Sequence, residues 1–141
     1  MKFSNVATVD QALVSLFHLG LSIHHLNQKT EKKLGLSLGQ WVLLKHLIEM
    51  PATSAHTLAA AVGVHPSTLT QSMKRLEDRG LLFITEDPRD SRTKLIAITR
   101  KGKVALDQAD ATLKTNLKRF SKLNPDLVVL RNQVAAQVAL I

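Results

Sequence analysis

The sequence predicts a mainly α-helical fold that carries one small β-hairpin. Two helix-capping patterns lie near the start of the chain, and each is followed by apolar residues at helical spacing. Further along, Gly80 suits the end of a helix and is followed directly by the apolar run Leu81–Ile84. A charged turn over residues 86–92 then leads into a second apolar run, Lys94–Thr99. Short apolar runs on both sides of a polar turn are typical of a hairpin.

The first predicted helix begins at a capping box and continues to about Lys33. Thr8 and Gln11 have the spacing at which each side chain caps the backbone amide of the other. The apolar residues that follow cover more than one stripe of the helix: Leu13, Leu16, Phe17, Leu19, Ile23 and Leu26. A helix that is apolar over much of its circumference is buried on more than one side. In a chain this small, that pattern favours contact with a partner subunit.

The next helices form a helix-turn-helix pattern. Ser37 and Gln40 make a second capping box for a helix that ends near Glu49. Residues 54–80 then contain two helices, the first capped by Thr53 or Ser54, broken at Gly63 and followed by Pro66 at the first position of the second. Small residues permit the tight turn, and proline suits a helix start.

The helix that begins at Pro66 has two chemically different faces. We expect its apolar residues to face the core, together with Leu58 and Ala59 of the preceding helix and Val64 of the turn: Leu69, Met73 and Leu76. The outward residues are Ser67, Thr68, Gln71, Lys74, Arg75 and Asp78. Gln71 can pair bidentately with adenine, and Lys74 or Arg75 can contact guanine or phosphate. The alternative is the ordinary solvated face of an amphipathic helix.

Two further helices are predicted after the hairpin. Thr99 caps a long one, in which apolar residues recur at three- and four-residue steps: Leu106, Ala109, Leu113, Leu117 and Phe120. Asn124 and Pro125 start a final helix that stays apolar as far as Ile141. Because a free apolar helix would expose a large patch, we expect this one to pack against a second subunit.

The net charge of +8 favours a polyanionic partner, and nucleic acid above all. Its distribution is uneven, since residues 54–99 carry six basic and five acidic side chains, whereas residues 100–122 carry seven and two. The predicted reading elements are therefore almost neutral. Their basic residues must act through position, while the following helix supplies the general attraction.

The tip of the hairpin carries the basic residues Arg89 and Arg92, and Lys94 begins the return strand. Arginines on a hairpin tip suit the narrow, electronegative minor groove of DNA. Asp90 can pair with Arg92 or Arg89 and hold an arginine extended. The alternative is a surface ion-pair cluster that only stabilises the turn. Together with the preceding helices, the hairpin predicts a winged helix-turn-helix.

Two motifs resemble the signature of the MarR family. They are the run Asp87-Pro88-Arg89-Asp90-Ser91-Arg92 and, after Leu95, the run Thr99-Arg100-Lys101-Gly102, with Ile98 in place of the usual leucine. The resemblance implies a single MarR-like domain over residues 1–141. Within it, residues 1–35 and 100–141 would be N- and C-terminal dimerisation helices, and residues 36–99 the winged helix-turn-helix lobe that binds DNA. It further implies a homodimeric repressor of a palindromic operator, with recognition helices in successive major grooves and wings in flanking minor grooves.

The resemblance also assigns roles to single residues. It places five residues at major-groove reading positions, namely Ser67, Thr68, Thr70, Gln71 and Arg75. Arg92 matches the wing arginine and Asp90 its buttress, whereas Arg89 lies at a variable position of the motif. Many members of the family are released from DNA by small aromatic or phenolic ligands.

A pocket for such an effector would draw on the residues His18, His24, His25, Trp41 and His46. Histidines there could bind an anionic ligand or sense pH. The alternative is that each histidine is solvated, or is partly buried and satisfied by a backbone carbonyl.

Other functions are disfavoured by what the sequence lacks. It has no cysteine, so we expect no disulfide, thiol switch or thiolate metal site, and no two of its six histidines are four residues apart as helical metal ligands would be. We expect no cofactor and no enzymatic activity, because no phosphate-binding glycine loop or nucleophile motif occurs. No signal peptide or membrane span is recognisable, which favours a cytoplasmic protein without membrane contact. The remaining alternative is a winged-helix protein-interaction or dimerisation module that does not read DNA.

Overall fold

The computed structural model describes residues 8–141 and confirms a mainly helical fold with a small antiparallel sheet. The elements in chain order are α1 (Val9–Leu34), α2 (Leu38–Glu49), β1 (Thr53–Ser54), α3 (Ala55–Val62), α4 (Pro66–Asp78), β2 (Leu82–Asp87), β3 (Asp90–Ile98), α5 (Arg100–Asn116), a 3₁₀ helix (Lys118–Leu123) and α6 (Asn124–Val138). The chain divides into two compact units, and the boundary between Ala109 and Asp110 falls inside α5.

Both predicted capping boxes are present. In the first, the Gln11 amide donates to Thr8 Oγ1 over 3.2 Å, and the Thr8 amide donates to Gln11 Oε1 over 2.9 Å. Ser37 and Gln40 make the same reciprocal pair at the start of α2, with both distances 3.1 Å. Such a pair satisfies two amides that the first helical turn leaves without partners. The positions at which α1 and α2 begin therefore follow from local sequence.

The sheet has the strand order β1-β3-β2, and both pairings are antiparallel. The strands of the hairpin are longer than predicted, because the charged residues of the motif continue the ladder and only Pro88 and Arg89 form the turn. Strand β1 was not predicted at all. It consists of Thr53 and Ser54 alone, paired with Ile96 and Leu95, and two residues are too few to show the alternation of a strand.

The core lies entirely in the first unit and is built mainly of leucines. Fully buried residues come from the turn before α2, from α2, α3 and α4, and from the sheet: Leu36, Leu44, Leu58, Leu76 and Ile96 are each 0% exposed. The residues predicted to face inward from α3 and α4 are all buried. Val64 is an exception, because it is 36% exposed. The amides of Gly63 and Val64 both donate to the Ala59 carbonyl, so backbone bonds anchor this turn and the prediction for the valine side chain was wrong.

The start of α5 packs tightly against the chain that leaves α4. Thr99 caps α5, since its Oγ1 accepts from the Gly102 amide over 3.0 Å, and the Thr99 hydroxyl donates to the Gly80 carbonyl over 2.6 Å. Gly102 is buried, and a Cβ at this position would overlap the carbonyl oxygen of Leu81. The glycine of the sequence motif is therefore required by close approach of two backbones.

The second unit differs from the prediction at the end of α5. The helix ends at Asn116 and not near Phe120, and a 3₁₀ helix follows. Thr115 and Asn116 donate from their side chains to the carbonyls four residues earlier, over 3.1 Å each. Side chains that compete for backbone groups in this way favour helix ends over helix interiors. The helical spacing of the apolar residues alone could not predict that α5 ends at Asn116.

Helix α6 begins at Asn124, as predicted, with Pro125 in its first turn. No residue between 110 and 141 is buried in the single chain. Within the described residues, no helix is long and apolar enough to cross a membrane.

Candidate nucleic-acid interface

Helix α4 is held by one face and presents the other to solvent. The inward residues Leu69, Met73 and Leu76 are 3%, 6% and 0% exposed. All candidate reading residues are exposed on the remaining surface: Ser67, Thr68, Thr70, Gln71, Lys74 and Arg75. The structure thus brings the predicted recognition residues together on one rigid element, which is what reading the edges of bases requires.

The first turn of α4 is organised by hydrogen bonds that constrain its small polar side chains. Thr70 Oγ1 donates to the Pro66 carbonyl over 3.0 Å, so its lone pairs are left for an outside donor. His65 is the N-cap, and its Nδ1 lies 3.2 Å from the Ser67 amide and 2.7 Å from Ser67 Oγ. The sequence placed His65 directly before the helix but did not reveal this role.

At the tip of the hairpin, Asp87 rather than Asp90 holds an arginine side chain. Asp87 Oδ1 accepts from the Arg89 amide over 2.9 Å and lies 3.5 Å from Arg89 Nε. Asp90 Oδ1 accepts from the backbone amide of Arg92 over 3.0 Å, and its Oδ2 accepts from Thr93 Oγ1 over 3.3 Å. The prediction that Asp90 pairs with an arginine side chain is therefore wrong. A short aspartate side chain reaches an amide two residues ahead more readily than a distant guanidinium.

The basic side chains of the hairpin point away from the core. The Arg89 side chain is 90% exposed, and Arg92 is exposed as well. Lys94 lies 3.4 Å from Glu86 on the neighbouring strand, but both side chains are more than half exposed. Exposed pairs of this kind contribute little to stability. The hairpin therefore fixes its backbone through aspartates and leaves its cations accessible.

A set of long-range hydrogen bonds fixes the exit of α4, and the sequence did not indicate it. Arg79 Nη1 donates to the Gly35 carbonyl over 2.7 Å, which ties the end of α4 to the corner between α1 and α2. Lys101 Nζ donates to the Arg79 carbonyl over 2.9 Å, which ties the same point to α5. The C-terminal end of α4 is thus held in place by the corner between α1 and α2 and by the start of α5.

The candidate effector residues divide into two environments. His18, His24 and His25 lie on α1 and are exposed. Trp41 and His46 lie on α2 and are half-buried, and the Trp41 ring packs against the core and lies 5.4 Å from Lys45 Nζ. His46 Nδ1 donates to the Val42 carbonyl over 2.9 Å. Each of the four histidines therefore fits the alternative stated for it, solvated or satisfied by a carbonyl. Within residues 8–141, no group of three side chains is placed to hold a metal ion.

A helical lobe with an exposed polar recognition helix, followed by a hairpin that presents arginines, defines a winged helix-turn-helix protein. Comparison with known proteins agrees with this class. A sequence model described as the MarR family matches residues 34–93, which extend from the end of α1 into β3. Among solved structures, a MepR-like protein complexed with pseudoligands is similar at 27% identity and a TM-score of 0.76, over 94% of this chain and 97% of that one.

Two further structures are similar over almost the whole chain. A MarR-family transcriptional regulator from Rhodococcus sp. RHA1 is 29% identical with a TM-score of 0.66, and 95% of this chain and 94% of that one are covered. The transcriptional repressor CouR, bound to a 23-mer DNA duplex, shares the fold at 21% identity and a TM-score of 0.70, over 96% of this chain and 99% of that one. Residues 34–93 of this chain thus match the MarR family, and the solved structures similar to the whole chain include a MarR-family transcriptional regulator.

Proposed function

We propose that the protein is a homodimeric repressor that reads a palindromic operator with α4 and the hairpin. The observation that carries the proposal is the pairing of the exposed polar face of α4 with accessible arginines on the adjoining hairpin. A protein-interaction module needs neither feature. The likeness to CouR, a repressor bound to DNA, supports the same interpretation at the level of the fold.

In this proposal α4 lies in the major groove. Gln71 supplies paired donor and acceptor groups for adenine, and Lys74 and Arg75 contact guanine or phosphate. Ser67, Thr68 and Thr70 lie near the start of the helix, where short side chains allow close approach to the bases. The segment is nearly neutral, so recognition depends on these placed groups more than on bulk charge.

The hairpin then reaches the adjacent minor groove. Arg92 is the principal probe, because its backbone is fixed by Asp90 while its side chain remains exposed. Arg89 is a second cation, and Asp87 orients its side chain. Lys94 contacts the phosphates beside the groove. An ordered backbone lowers the entropy that is lost when an arginine enters the groove.

Exposed apolar side chains support a homodimer. On α1, Val9, Leu13, Phe17 and Ile23 are 74%, 59%, 64% and 52% exposed. On and after α6, Leu127, Val129, Val138 and Leu140 are 45%, 55%, 60% and 80% exposed. Patches of this kind on two helices are costly in water unless a partner covers them. We therefore assign α1 and α6 to the interface with a second copy. They belong to the dimerisation elements that we propose at residues 1–35 and 100–141.

A small aromatic or anionic effector is a further part of the proposal. The similar MepR-like structure contains pseudoligands, which supports a ligand site in this fold. Trp41 and His46 are the stronger candidates here, because they are half-buried and lie on one helix. Since His46 Nδ1 donates to a carbonyl, its Nε2 in the neutral ring can accept from a phenolic hydroxyl. His18, His24 and His25 are exposed and would act only at the rim of such a site.

The test is selection of binding sites from random duplexes with the full-length protein, followed by fluorescence anisotropy. We expect a two-fold symmetric site with half-sites about one helical turn apart. Affinity should be on the order of nanomolar and fall steeply with salt. Equal affinity for the selected and a scrambled duplex would instead support the interaction module.

A further inference from the structure

His65 makes two contacts where a helix cap needs only one. Its Nδ1 accepts from the Ser67 amide over 3.2 Å, which is the ordinary cap. The same nitrogen lies 2.7 Å from Ser67 Oγ. A serine, asparagine or aspartate at this position would provide the cap alone. The second contact is not needed to cap the helix, and it constrains the Ser67 hydroxyl instead.

The two contacts together determine where the protons lie. A backbone amide can only donate, so Nδ1 must carry a lone pair, and the neutral ring then has its proton on Nε2. The Ser67 hydroxyl, which shares that lone pair, must donate to Nδ1 as well. Its own lone pairs are left facing outward from an exposed residue. Ser67 is thus held as a hydrogen-bond acceptor.

We propose that His65 is a specificity-determining positioning residue that holds Ser67 as an acceptor, so that this position of α4 selects bases with an amino group. In the major groove, adenine N6 and cytosine N4 are donors, whereas guanine O6 and N7 and thymine O4 are acceptors. An acceptor-only serine therefore favours adenine or cytosine over guanine or thymine. This inference rests on the proposed function, because it requires that α4 reads DNA.

A second hydroxyl near the start of α4, that of Thr70, is also held as a hydrogen-bond acceptor. Thr70 donates its hydroxyl proton to the Pro66 carbonyl, so it also faces outward as an acceptor. Unlike Ser67, it needs no histidine for this, because the backbone carbonyl is its partner. The contribution of His65 is confined to Ser67, and it can be removed without changing Thr70.

The first experiment is independent of DNA. Long-range ¹H–¹⁵N spectra of the full-length protein report which ring nitrogen of each histidine carries the proton, and the His65→Asn variant assigns the signal. We expect His65 to be in the Nε2-protonated form when the ring is neutral. A ring protonated at Nδ1 would overturn the inference and leave the proposed function intact.

The second experiment measures base preference with anisotropy on duplexes that differ at one position per half-site. Wild type should prefer adenine or cytosine at one position by about tenfold, the effect of one hydrogen bond. His65→Ala and Ser67→Ala should each abolish that preference, and the double variant should add nothing further. His65→Asn keeps the helix cap but not the contact with Ser67 Oγ, so it should lose the preference while the start of α4 is retained. His56→Ala, which replaces an exposed histidine on α3, is the matched control.

The outcomes separate the two proposals. If wild type binds the selected site specifically and His65→Ala keeps the preference for amino bases, the inference is wrong and the proposed function stands. If wild type does not discriminate any duplex, the proposed function is wrong, and the inference is wrong with it. If His65→Ala fails to fold, His65→Asn and Ser67→Ala decide the question, since the preference must vanish in both.

Discussion

Gly102 at the start of α5 lies directly against the carbonyl group of Leu81. A Cβ on Gly102 would overlap that oxygen and would also lie 2.7 Å from Ile98 Cγ1. The contact joins the chain that leaves α4 to the start of α5. Thr99 completes the junction by donating to the Gly80 carbonyl and capping α5.

We therefore expect Gly102→Ala to destabilise the protein by about 1–3 kcal/mol, because backbone atoms must move to admit the methyl group. Urea unfolding followed by circular dichroism measures the change. Gly39→Ala on α2 is the control, since a Cβ at Gly39 would meet only Ser37 Oγ, at 4.0 Å. Within a helix that substitution should be neutral or stabilise by up to about 1 kcal/mol. Equal effects of the two variants would show that the junction is not tight.

Arg92→Ala should weaken binding to the selected operator by about 1–3 kcal/mol, the range for one good groove contact. The thermal unfolding midpoint should not change, because the Arg92 side chain is exposed. Anisotropy at fixed salt measures the affinity. Arg131→Ala on α6 removes the same charge from an exposed residue outside the proposed DNA-binding surface and should have little effect. Unchanged affinity of the Arg92 variant would remove the hairpin from the site.

Gln71→Ala and Lys74→Ala should differ in kind. The first removes a group that reads a base, so preference should relax at one position of each half-site. The second removes a phosphate contact, so affinity should fall for all sequences and the salt dependence should drop by about one ion. Binding to a panel of single-base variants at several salt concentrations separates the two. A uniform loss for Gln71→Ala would reassign that residue to the DNA backbone.

Removal of residues 124–141 should expose the proposed dimer interface. We expect monomer or aggregate in sedimentation velocity, because the apolar side chains of α6 would no longer cover those of the partner. Two point variants test the same interface without a truncation. Leu127→Ser replaces an apolar residue of α6 and should weaken the dimer, whereas the control Lys122→Ser replaces a polar residue and should not. An intact soluble dimer after truncation would contradict the role given to α6.

Local signals in the sequence predicted much of the fold. The starts of α1, α2, α4 and α5 follow from caps and from one proline, and the inward residues of α4 follow from helical period. Strand β1 was missed because Thr53 and Ser54 carry no pattern of their own. It exists because β3 offers them a pairing edge.

Relationships across long sequence separations could not be predicted. The bond from Arg79 to the Gly35 carbonyl spans 44 residues and depends on how α4 packs against the end of α1. The choice of Asp87 over Asp90 as the partner of Arg89 depends on the register of the hairpin, in which Asp87 lies opposite Asp90. Residue types and motif spacing are the same for either choice, so only the structure distinguishes them.

Chemical footprinting of wild type and Arg92→Ala on the selected operator tests the central claim most directly. Dimethyl sulfate reports guanine N7 in the major groove, and hydroxyl radicals report the sugars along the minor groove. If α4 reads the major groove and the hairpin probes the minor groove, wild type protects both, and Arg92→Ala loses only the flanking minor-groove protection. Wild-type protection confined to one groove, or a variant that loses both patterns together at saturating protein, would contradict the account.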